Sequence, residues 1–252
     1  MKTPRILKIG GAHLDDPRFL DKLLARVQDL RAIGPVILVH GGGTQISELQ
    51  EKLGITPRKH EGLRATSREG MTVVAMVLSG LLNKRIVAHF GHGGLSALGV
   101  SGPDCGLLRA PFWGIGELGR VGGAPEVDRT ALDALLGVTG LLVVAPVCLA
   151  PDGGLVNVNA DTVAQALAVC IGADVLEFVT DVDAVKARGR FVPRLNPDEA
   201  RRLISDGVVR GGMRPKIEAA LSAIDAGVGR VRVGSLDSLS GQSATSCTEV
   251  VP

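Results

Sequence analysis

Short apolar segments alternate with amphipathic helical segments along this chain of 252 residues. Residues 36–39 form a continuous apolar run that is followed by His40 and three glycines, and residues 44–53 continue as an amphipathic helix that ends at Gly54. Continuous apolar runs are typical of strands that are buried on both faces, as in parallel sheets. The alternation therefore predicts an α/β fold, a three-layer αβα sandwich around a central, mostly parallel sheet. The expected strands are residues 6–9, 36–39, 95–100, 141–146, 175–179 and 228–233; the expected helices are residues 17–30, 44–53, 69–90, 163–171, 197–207 and 215–226; residues 121–127 and 184–193 are expected to be loops or short hairpins.

Composition limits the possible classes of function. Apolar residues make up 45% of the chain and charged residues 21%, and the net charge is +2. This balance, with lysines and arginines spread along the chain, does not favour general binding to nucleic acid or to a membrane surface. The apolar run 71–82 is too short to span a membrane, which takes about 20 residues. The length fits one α/β domain or two joined lobes, and we expect a division near residue 172, into residues 1–172 and 173–252.

Cysteine usage indicates a reducing compartment. The four cysteines contain no C-x-x-C pair and lie among apolar or small residues, and residues 1–4 lead directly into an expected strand. Because disulfides persist in oxidising compartments, this pattern favours free thiols and a cytoplasmic location. A zinc site built from cysteines is not favoured, since the paired spacing that such sites use is absent.

Two glycine loops follow two of the expected strands. Gly10 and Gly11 come after residues 6–9, and three glycines at positions 41–43 come after residues 36–39. A glycine loop between a strand and a helix presents backbone N–H groups to an anion, although it also serves as a plain tight turn. The spacing matches neither the pattern G-x-x-x-x-G-K-[ST] nor the dinucleotide fingerprint G-x-G-x-x-G. The loops therefore indicate anion binding only in combination with other residues.

Two lysines stand beside such elements. Lys8 lies inside the first expected strand, so its ammonium either reaches water along an apolar stem or faces a bound phosphate. Lys216 follows Pro215, which marks the first turn of a helix, so Lys216 is either a surface lysine or lies near the helix end that attracts anions. Together with the carboxylate of Asp161, these lysines and the glycine loops could hold phosphates without a covalent intermediate.

The segment Asn157-Val-Asn159-Ala-Asp161 places two amides and one carboxylate on alternate positions. Side chains on alternate positions of an extended segment point to one side, which suits a polar ligand. The same residue types also favour turns and helix caps, and Asp161 with Thr162 is a plausible N-cap for the apolar helix 163–171. Both interpretations stand at the level of sequence.

Arg64 and His40 each have a structural and a functional interpretation. Arg64, within residues 62–66, is either a solvated surface arginine or a bidentate clamp on a carboxylate. His40, just before the three glycines, is expected to be a structural hydrogen-bonding residue rather than a catalyst.

In combination, these segments resemble the amino-acid kinase family and, within it, the N-acetyl-L-glutamate kinases. The resemblance runs from about residue 6 to residue 233. The matching segments are Lys8-Ile-Gly-Gly, His40-Gly-Gly-Gly, Gly62-Leu-Arg-Ala-Thr, Asn83-Lys84, Asn157-Val-Asn-Ala-Asp161, Thr180-Asp-Val-Asp-Ala-Val185 and Gly211-Gly-Met-Arg-Pro-Lys216.

Three parts of the chain depart from the family pattern. Thr44 stands where proline is frequent, and Ala184 stands where glycine is usual in the nucleotide loop. The C-terminal residues 240–252 have Cys247-Thr248 in place of the usual Gly-Thr. These departures concern the fine nucleotide contacts and the end of the chain.

The resemblance implies a role for each candidate residue. Lys8 and Lys216 would hold the transferring phosphoryl group, and Asp161 would orient both lysines. The acetylated amino acid would be bound by Gly42, Gly43, Arg64, Asn157 and Asn159. The nucleotide would be bordered by Gly10, Gly11, Thr180, Asp181, Val182, Val185, Val209, Gly211 and Met213. No protein metal site is implied, because Mg²⁺ would come bound to ATP and be held mainly by the nucleotide.

The implied reaction is the ATP-dependent phosphorylation of the side-chain carboxylate of N-acetyl-L-glutamate, a step of arginine biosynthesis. Residues 1–172 would bind the acetylated amino acid and form a dimer, and residues 173–252 would bind ATP. One alternative is a sister kinase that acts on aminoadipate or glutamate linked to a carrier protein. Another alternative is a non-catalytic regulatory subunit that binds small molecules. This alternative is not favoured, because Lys8, Asp161 and Lys216 are all present.

The resemblance also implies an assembly. The expected helix 69–90 has too broad an apolar surface for one packed face, and in the family this helix crosses its mate in a homodimer. The alternative is a helix that is fully buried within one subunit. Members inhibited by arginine carry an additional N-terminal helix, whereas the first strand is expected at about residue 6 here, so we expect a homodimer that is insensitive to arginine.

Overall fold

An eight-stranded sheet runs through the centre of the protein, and helices cover both of its faces. A computed structural model of the chain describes residues 3–60, 63–114, 118–187, 189–210, 213–243 and 246–252. The predicted three-layer αβα sandwich is confirmed.

The helices and strands have the following bounds. The strands are β1 (Arg5–Ile9), β2 (Val36–His40), β3 (Arg58–His60), β4 (Leu63–Ala65), β5 (Leu98–Ser101), β6 (Leu108–Arg109), β7 (Glu126–Val127), β8 (Leu141–Ala145), β9 (Val147–Leu149), β10 (Leu155–Asn157), β11 (Leu176–Val179), β12 (Lys186–Ala187), β13 (Arg190–Phe191), β14 (Arg194–Leu195), β15 (Val231–Gly234) and β16 (Thr248–Val250). The helices are α1 (Pro17–Ile33), α2 (Gly43–Lys52), α3 (Arg68–His92), α4 (Arg129–Thr139), α5 (Ala160–Ile171), α6 (Pro197–Ser205), α7 (Met213–Asp225) and α8 (Leu236–Leu239), with a short 3₁₀ turn at Asp104–Gly106.

The central sheet is mostly parallel, as the sequence predicts. Its order is β14-β16-β15-β11-β1-β2-β8-β5, and among these strands only β15 and β16 pair in the antiparallel direction. A smaller sheet has the order β10-β9-β6-β7, and two hairpins join β3 with β4 and β12 with β13. Parallel neighbours place the carboxyl ends of β1, β2 and β11 at one edge of the large sheet, where the loops that follow them meet.

Two apolar cores lie on opposite faces of the central sheet. Successive residues of a strand point to opposite faces, so Ile6 belongs to one core and Leu7 to the other. Helices α4, α5 and α7 pack on the first face, and α1, α3 and α8 pack on the second. The strands are apolar at nearly every position because both of their faces are buried.

The expected division at residue 172 runs through this sheet. Strands from before residue 172 form one half of it, and strands from after residue 172 form the other half. The two halves join where β1 pairs with β11, in a register that places Lys8 beside Phe178. One continuous sheet therefore links the two proposed lobes.

Two strands begin later than expected, at Leu98 rather than residue 95 and at Val231 rather than residue 228. The N–H of Leu95 donates to the carbonyl of Phe90, and the N–H of Val228 donates to the carbonyl of Ala223. Both residues thus close the end of the preceding helix, because an apolar residue just after a helix packs back on its last turn.

Helix α3 covers the expected helix 69–90 but is not uniform. Residues Met76–Leu82 form π-helical turns between α-helical ends, which the sequence analysis did not predict. Wide turns of this kind occur as local insertions in α-helices. Ser79 and Gly80, which have weak helix propensity, lie within this segment.

The length of α3 corrects one expectation from the sequence. In the described part of the chain, Arg68–His92 is a helix that is long and apolar enough to cross a membrane by length and composition alone. The expectation counted only the apolar run 71–82, whereas the helix continues through residues 83–92. In the most apolar stretch of this helix, 44% is buried inside the protein. Core helices of soluble proteins can be equally long and apolar.

The two segments that were expected to be loops or short hairpins contain short strands. Residues 184–193 include the hairpin of β12 and β13, and residues 121–127 end in β7. All four cysteines belong to the described residues, and each is a free thiol.

A buried carboxylate fastens α1 to the central sheet. Oε1 of Glu177 in β11 lies 2.5 Å from Nη2 of Arg26 in α1 and 2.8 Å from Nη1 of Arg232 in β15. The Glu177 side chain is only 3% exposed. An ion buried in this way depends on its partners, because a charge without them is costly inside a protein.

We expect Glu177→Gln to lower the free energy of unfolding by about 3 kcal/mol, since two arginines then lose their shared counter-charge. Urea unfolding followed by circular dichroism measures this loss. The control is Asp133→Asn, which breaks an exposed pair with Arg129 and should leave the stability nearly unchanged, because water screens that pair. Similar losses in the two variants would contradict a stabilising role for the buried network.

Candidate active site

The structure brings Lys8, Asp161 and Lys216 into direct contact. Nζ of Lys8 lies 2.6 Å from Oδ1 of Asp161, and Nζ of Lys216 lies 3.0 Å from Oδ2 of the same carboxylate. The exposed fractions of the side chains are 7% for Lys8, 15% for Asp161 and 23% for Lys216. One carboxylate therefore holds two ammonium groups that come from positions 208 residues apart (216 − 8).

Three elements deliver these side chains. Lys8 comes from β1 in the middle of the sheet, Asp161 from the first turn of α5, and Lys216 from the first turns of α7. Helix α5 packs against both β1 and α7, so its N-terminus lies between the two lysines. The fold itself thus assembles the cluster.

The N-cap of α5 is Asn159 and not Asp161. The side-chain oxygen of Asn159 accepts a hydrogen bond from the N–H of Asp161 at 2.8 Å. The sequence left both residues as possible caps, and the structure gives the cap to Asn159 because its backbone is extended while Asp161 is already helical. The carboxylate of Asp161 is thereby left to the two lysines.

Burial and charge act in opposite directions on this cluster. Burial is the largest effect on Lys8 and lowers its pKa to about 8, although the charge of Asp161 opposes the shift. Burial alone would raise the pKa of Asp161, but the two lysines together lower it below its ordinary value. At neutral pH, Asp161 is ionised and Lys8, whose pKa is about 8, is largely protonated, so this cluster of two lysines and one carboxylate favours a bound anion.

The two glycine loops touch each other beside this cluster. A Cβ added to Gly11 would lie 2.6 Å from the backbone nitrogen of Gly42, and one added to Gly42 would lie 2.6 Å from Cδ2 of Leu78. Neither position has room for a side chain, so glycine is needed at both for packing. Helix α2 begins at Gly43, and no side chain caps the N–H groups of its first turn in the described part of the chain.

A cavity of about 210 Å³ contains the residues expected to bind the acetylated amino acid, with one guanidinium and two amide side chains in its wall. Its lining includes Gly42, Gly43, Arg64, Asn157 and Asn159. The structure therefore brings this predicted set together around one space, which we call the polar cavity.

Arg64 is buried at the wall of the polar cavity. Its Nη2 donates to the carbonyl of Gly43 and to Oγ of Ser47, each at 2.7 Å, and its Nη1 donates to Oε1 of Gln50 at 2.8 Å. Only 8% of the residue is exposed, and burial lowers its pKa below the ordinary arginine value. The guanidinium is thus held in place by α2, and it is not the solvated surface arginine that the sequence left open.

The polar cavity also has lining residues that the sequence analysis missed. Lys59 lies opposite Arg64 in the hairpin of β3 and β4, and it brings a second cation to this wall. Leu63 and Leu78 supply apolar surface. The signal that could have identified Lys59 is its place in a short hairpin with Arg64, which appears only when the two strands are paired.

A second cavity of about 410 Å³ contains most of the residues expected to border the nucleotide. We call it the apolar cavity after its valines and Met213, although Asp181, Asp183, Lys186 and Arg210 also line it. Its lining includes Asp181, Val182, Val185, Val209 and Met213. Met213 and Lys216 stand three positions apart on α7, so one helix face connects this cavity to the lysine cluster. Lys186 and Phe191 of the β12–β13 hairpin also line it, and the sequence analysis missed both.

The remaining expected nucleotide residues lie elsewhere. Thr180 lines an adjacent cavity beside α1 and α8, and its hydroxyl donates to the carbonyl of Val182 at 2.8 Å. Gly10 is exposed in the loop after β1, next to Gly11. Gly211 lies outside the described residues.

His40 forms a hydrogen bond to the second glycine loop. It is fully buried, and its Nδ1 lies 3.1 Å from the carbonyl oxygen of Gly41, so Nδ1 carries the proton and donates. Its Nε2 lies 3.5 Å from Nδ2 of Asn83 in α3. Burial lowers the pKa of His40 to about 4, which keeps the ring neutral. These contacts are those of a structural residue.

We expect the stability of the protein to fall as the pH decreases from 6.5 to 4. The unfolded state takes up a proton on His40 near its ordinary pKa of 6.5, whereas the folded state does so only near 4. Protons therefore favour the unfolded state in this window, and the loss between pH 7 and pH 5 is about 2 kcal/mol.

Urea unfolding at the two pH values measures this effect. The pH dependence should shrink by about that amount in His40→Gln and stay unchanged in His92→Gln, whose side chain is exposed. Equal pH dependence in His40→Gln and in the unaltered protein would show that His40 is not the responsible group.

Comparisons with known proteins agree with this geometry. A model of the amino acid kinase family matches residues 4–235. The acetylglutamate kinase of Chloroflexus aurantiacus is 44% identical over 242 residues, which cover 95% of this chain and 94% of that protein. The acetylglutamate kinase of a Roseiflexus species is 44% identical over 250 residues, which cover 98% and 94%. The solved structure of smu.665 from Streptococcus mutans has a TM-score of 0.84 at 27% identity and covers 100% of this chain and 99% of that one.

Proposed function

The chain belongs to the amino acid kinase family, and on this premise we propose that it transfers the γ-phosphoryl group of ATP to the side-chain carboxylate of N-acetyl-L-glutamate. The products are N-acetyl-L-glutamyl 5-phosphate and ADP, and the reaction belongs to arginine biosynthesis. The observation that supports this proposal most strongly is the cluster of Lys8, Asp161 and Lys216, together with two separate cavities.

The reaction needs charge and alignment more than it needs a base. The acceptor carboxylate is already ionised, so one of its oxygens attacks the γ-phosphorus directly while the bond to the bridging oxygen of ADP breaks. Negative charge on the transferring group is stabilised by Lys8 and Lys216, whose positions are fixed by Asp161. The N–H groups at the start of α2 add fixed dipoles of the same sign.

Mg²⁺ fits this site as a partner of the nucleotide. Both carboxylate oxygens of Asp161 are already engaged by lysines, and the described residues contain no group of three or more His, Cys, Asp or Glu side chains that could hold a metal. When bound with ATP, the ion neutralises part of the phosphate charge.

The two cavities support separate binding regions for the two substrates. The polar cavity is built from residues before position 172, and the apolar cavity is built from residues after it. Acetylglutamate binds in the first and the adenine of ATP in the second, with residues 1–172 and 173–252 acting as the two lobes. The lysine cluster is linked to both regions along the chain, since Ala160 next to Asp161 lines the first cavity and Met213, three positions before Lys216, lines the second.

A homodimer through α3 is part of the proposal. Met76 is 55% exposed and Leu81 is 48% exposed on this helix, although the opposite face packs on the sheet. Large apolar side chains on the outer face of a central helix favour a second copy of the same helix as partner.

We expect Lys8→Ala to lower turnover by about 10²–10³ or more, since it removes one preorganised charge from the transferring group. Hydroxylamine traps an acyl phosphate as a hydroxamate, which measures the product directly. The control is Lys52→Ala, which removes an exposed lysine at the end of α2 and should leave turnover unchanged.

The same assay separates the possible acceptors. The unaltered protein should form hydroxamate with N-acetyl-L-glutamate and not with free glutamate or with aminoadipate on a carrier protein. If product formed only from the carrier-linked substrate, the protein would be the sister kinase and this proposal would be wrong. A correctly folded protein that forms no product with any acceptor would be the non-catalytic alternative.

We expect Arg64→Ala to raise the KM for N-acetyl-L-glutamate by roughly ten- to a hundredfold, because a charged hydrogen-bond donor is lost from the polar cavity. The KM for ATP should change by no more than about twofold. Steady-state kinetics with each substrate varied in turn gives both values, and Arg68→Ala, an exposed arginine at the start of α3, is the control. An equal rise in both constants would rule out a selective acceptor contact.

A further inference from the structure

The wall of the apolar cavity depends on the C-terminal end of the chain. Val185 and Ala184 line this cavity, and they are 1% and 3% exposed. They precede the hairpin of β12 and β13, whose strands are only two residues each. A hairpin of this size is not stable by itself, so its position depends on contacts with the rest of the protein.

Thr248 in β16 makes the contact at the base of this hairpin. The N–H of Val185 donates to Oγ1 of Thr248 at 2.8 Å, and Oγ1 of Thr248 donates to the carbonyl of Val192 at 2.6 Å. Val185 and Val192 also face each other, since the N–H of Val192 donates to the carbonyl of Val185 at 2.9 Å. One hydroxyl therefore binds the backbone on both sides of the hairpin base, where a further pair of strand residues would otherwise be needed to satisfy these groups.

The central sheet holds Thr248 rigidly in this place. Strand β16 lies between β14 and β15, and Thr248 pairs with Val233 of β15. The residue is fully buried. Its hydroxyl is therefore fixed by the sheet rather than by the hairpin that it supports.

A second set of hydroxyl groups holds the other end of the same wall. Oγ of Ser238 in α8 donates to the carbonyl of Asp183 at 2.9 Å, and Oγ of Ser235 lies 2.5 Å from the Asp183 carboxylate. Asp183 lines the apolar cavity next to Ala184. The segment after β15 and strand β16 thus hold the wall at two points, one before and one after Ala184.

We propose that Thr248 is a positioning residue for the nucleotide: its hydroxyl fixes Val185 and the β12–β13 hairpin in the place where they can pack against the adenine. This inference rests on the proposed function of the apolar cavity, and it assigns a role to the C-terminal segment that departs from the family pattern. The buried N–H of Val185 and the part-buried carbonyl of Val192 lose their partner when the hydroxyl is removed, so the wall relaxes and nucleotide affinity falls.

The test compares a substitution that removes the hydroxyl group with one that keeps it. Thr248→Val keeps the shape of the side chain and removes the hydroxyl, whereas Thr248→Ser keeps the hydroxyl. We expect the Kd for a non-hydrolysable ATP analogue, measured by isothermal titration calorimetry, to rise about tenfold in Thr248→Val and no more than about twofold in Thr248→Ser. The KM for ATP should rise in parallel, and the KM for N-acetyl-L-glutamate should not change.

The chain offers a matched control in Thr139. Its hydroxyl also accepts from one backbone N–H and donates to one carbonyl, both of Leu141, at 3.2 and 2.8 Å. Thr139 ends α4 and does not line the apolar cavity. Thr139→Val should therefore leave the nucleotide Kd unchanged, and a rise equal to that of Thr248→Val would overturn the inference.

A measurement on the unaltered protein keeps the inference testable if Thr248→Val does not fold. Saturation with the ATP analogue should slow amide hydrogen exchange in residues 246–250 together with residues 184–187. Slower exchange in residues 184–187 alone would contradict a link through Thr248.

The outcomes also separate this inference from the proposed function. If the unaltered protein binds the nucleotide and Thr248→Val weakens that binding, while no product forms with N-acetyl-L-glutamate, the role of Thr248 would hold and the proposed acceptor would be wrong. An unaltered protein that does not bind the nucleotide would overturn both.

Discussion

The carboxylate of Asp161 is the point on which the site depends. It joins Lys8 to Lys216, and both of its oxygens are used. Two ammonium groups so close together repel each other strongly where little water is present to screen them. Asp161 reduces this repulsion and fixes the direction of both side chains, so the cluster can accept the charge of a third, transferring group.

The fold places this anion where the rest of the protein can support it. Asp161 lies in the first turn of α5, just after the Asn159 cap, and α5 packs on β1 and on α7. The glycine loops after β1 and β2 touch at the same edge of the sheet because neither Gly11 nor Gly42 has a side chain. Charge, helix end and loop contact therefore lie together at one edge of the sheet.

Much of this arrangement could be predicted from local patterns in the sequence. Buried strands were visible as continuous apolar runs, and the glycine loops followed two of them. Lys8 stood inside the first strand, and Asp161 and Lys216 stood at the starts of two helices. The predicted substrate residues from Gly42 to Asn159 do line one cavity. Their roles stay predictions, since proximity to a cavity is not evidence of what binds there.

The sequence by itself determined the layers of the fold and the chemical types at the site, because periodicity and turn residues act over a few neighbouring positions. Only the tertiary structure decided which of these residues meet. Lys59 faces Arg64 through strand pairing, and Thr248 reaches Val185 across 63 positions of the chain. The wide turns of α3 likewise had no local signal that the sequence analysis used. Contacts between distant segments depend on how the strands of the whole sheet are ordered and paired, and short-range patterns do not contain that information.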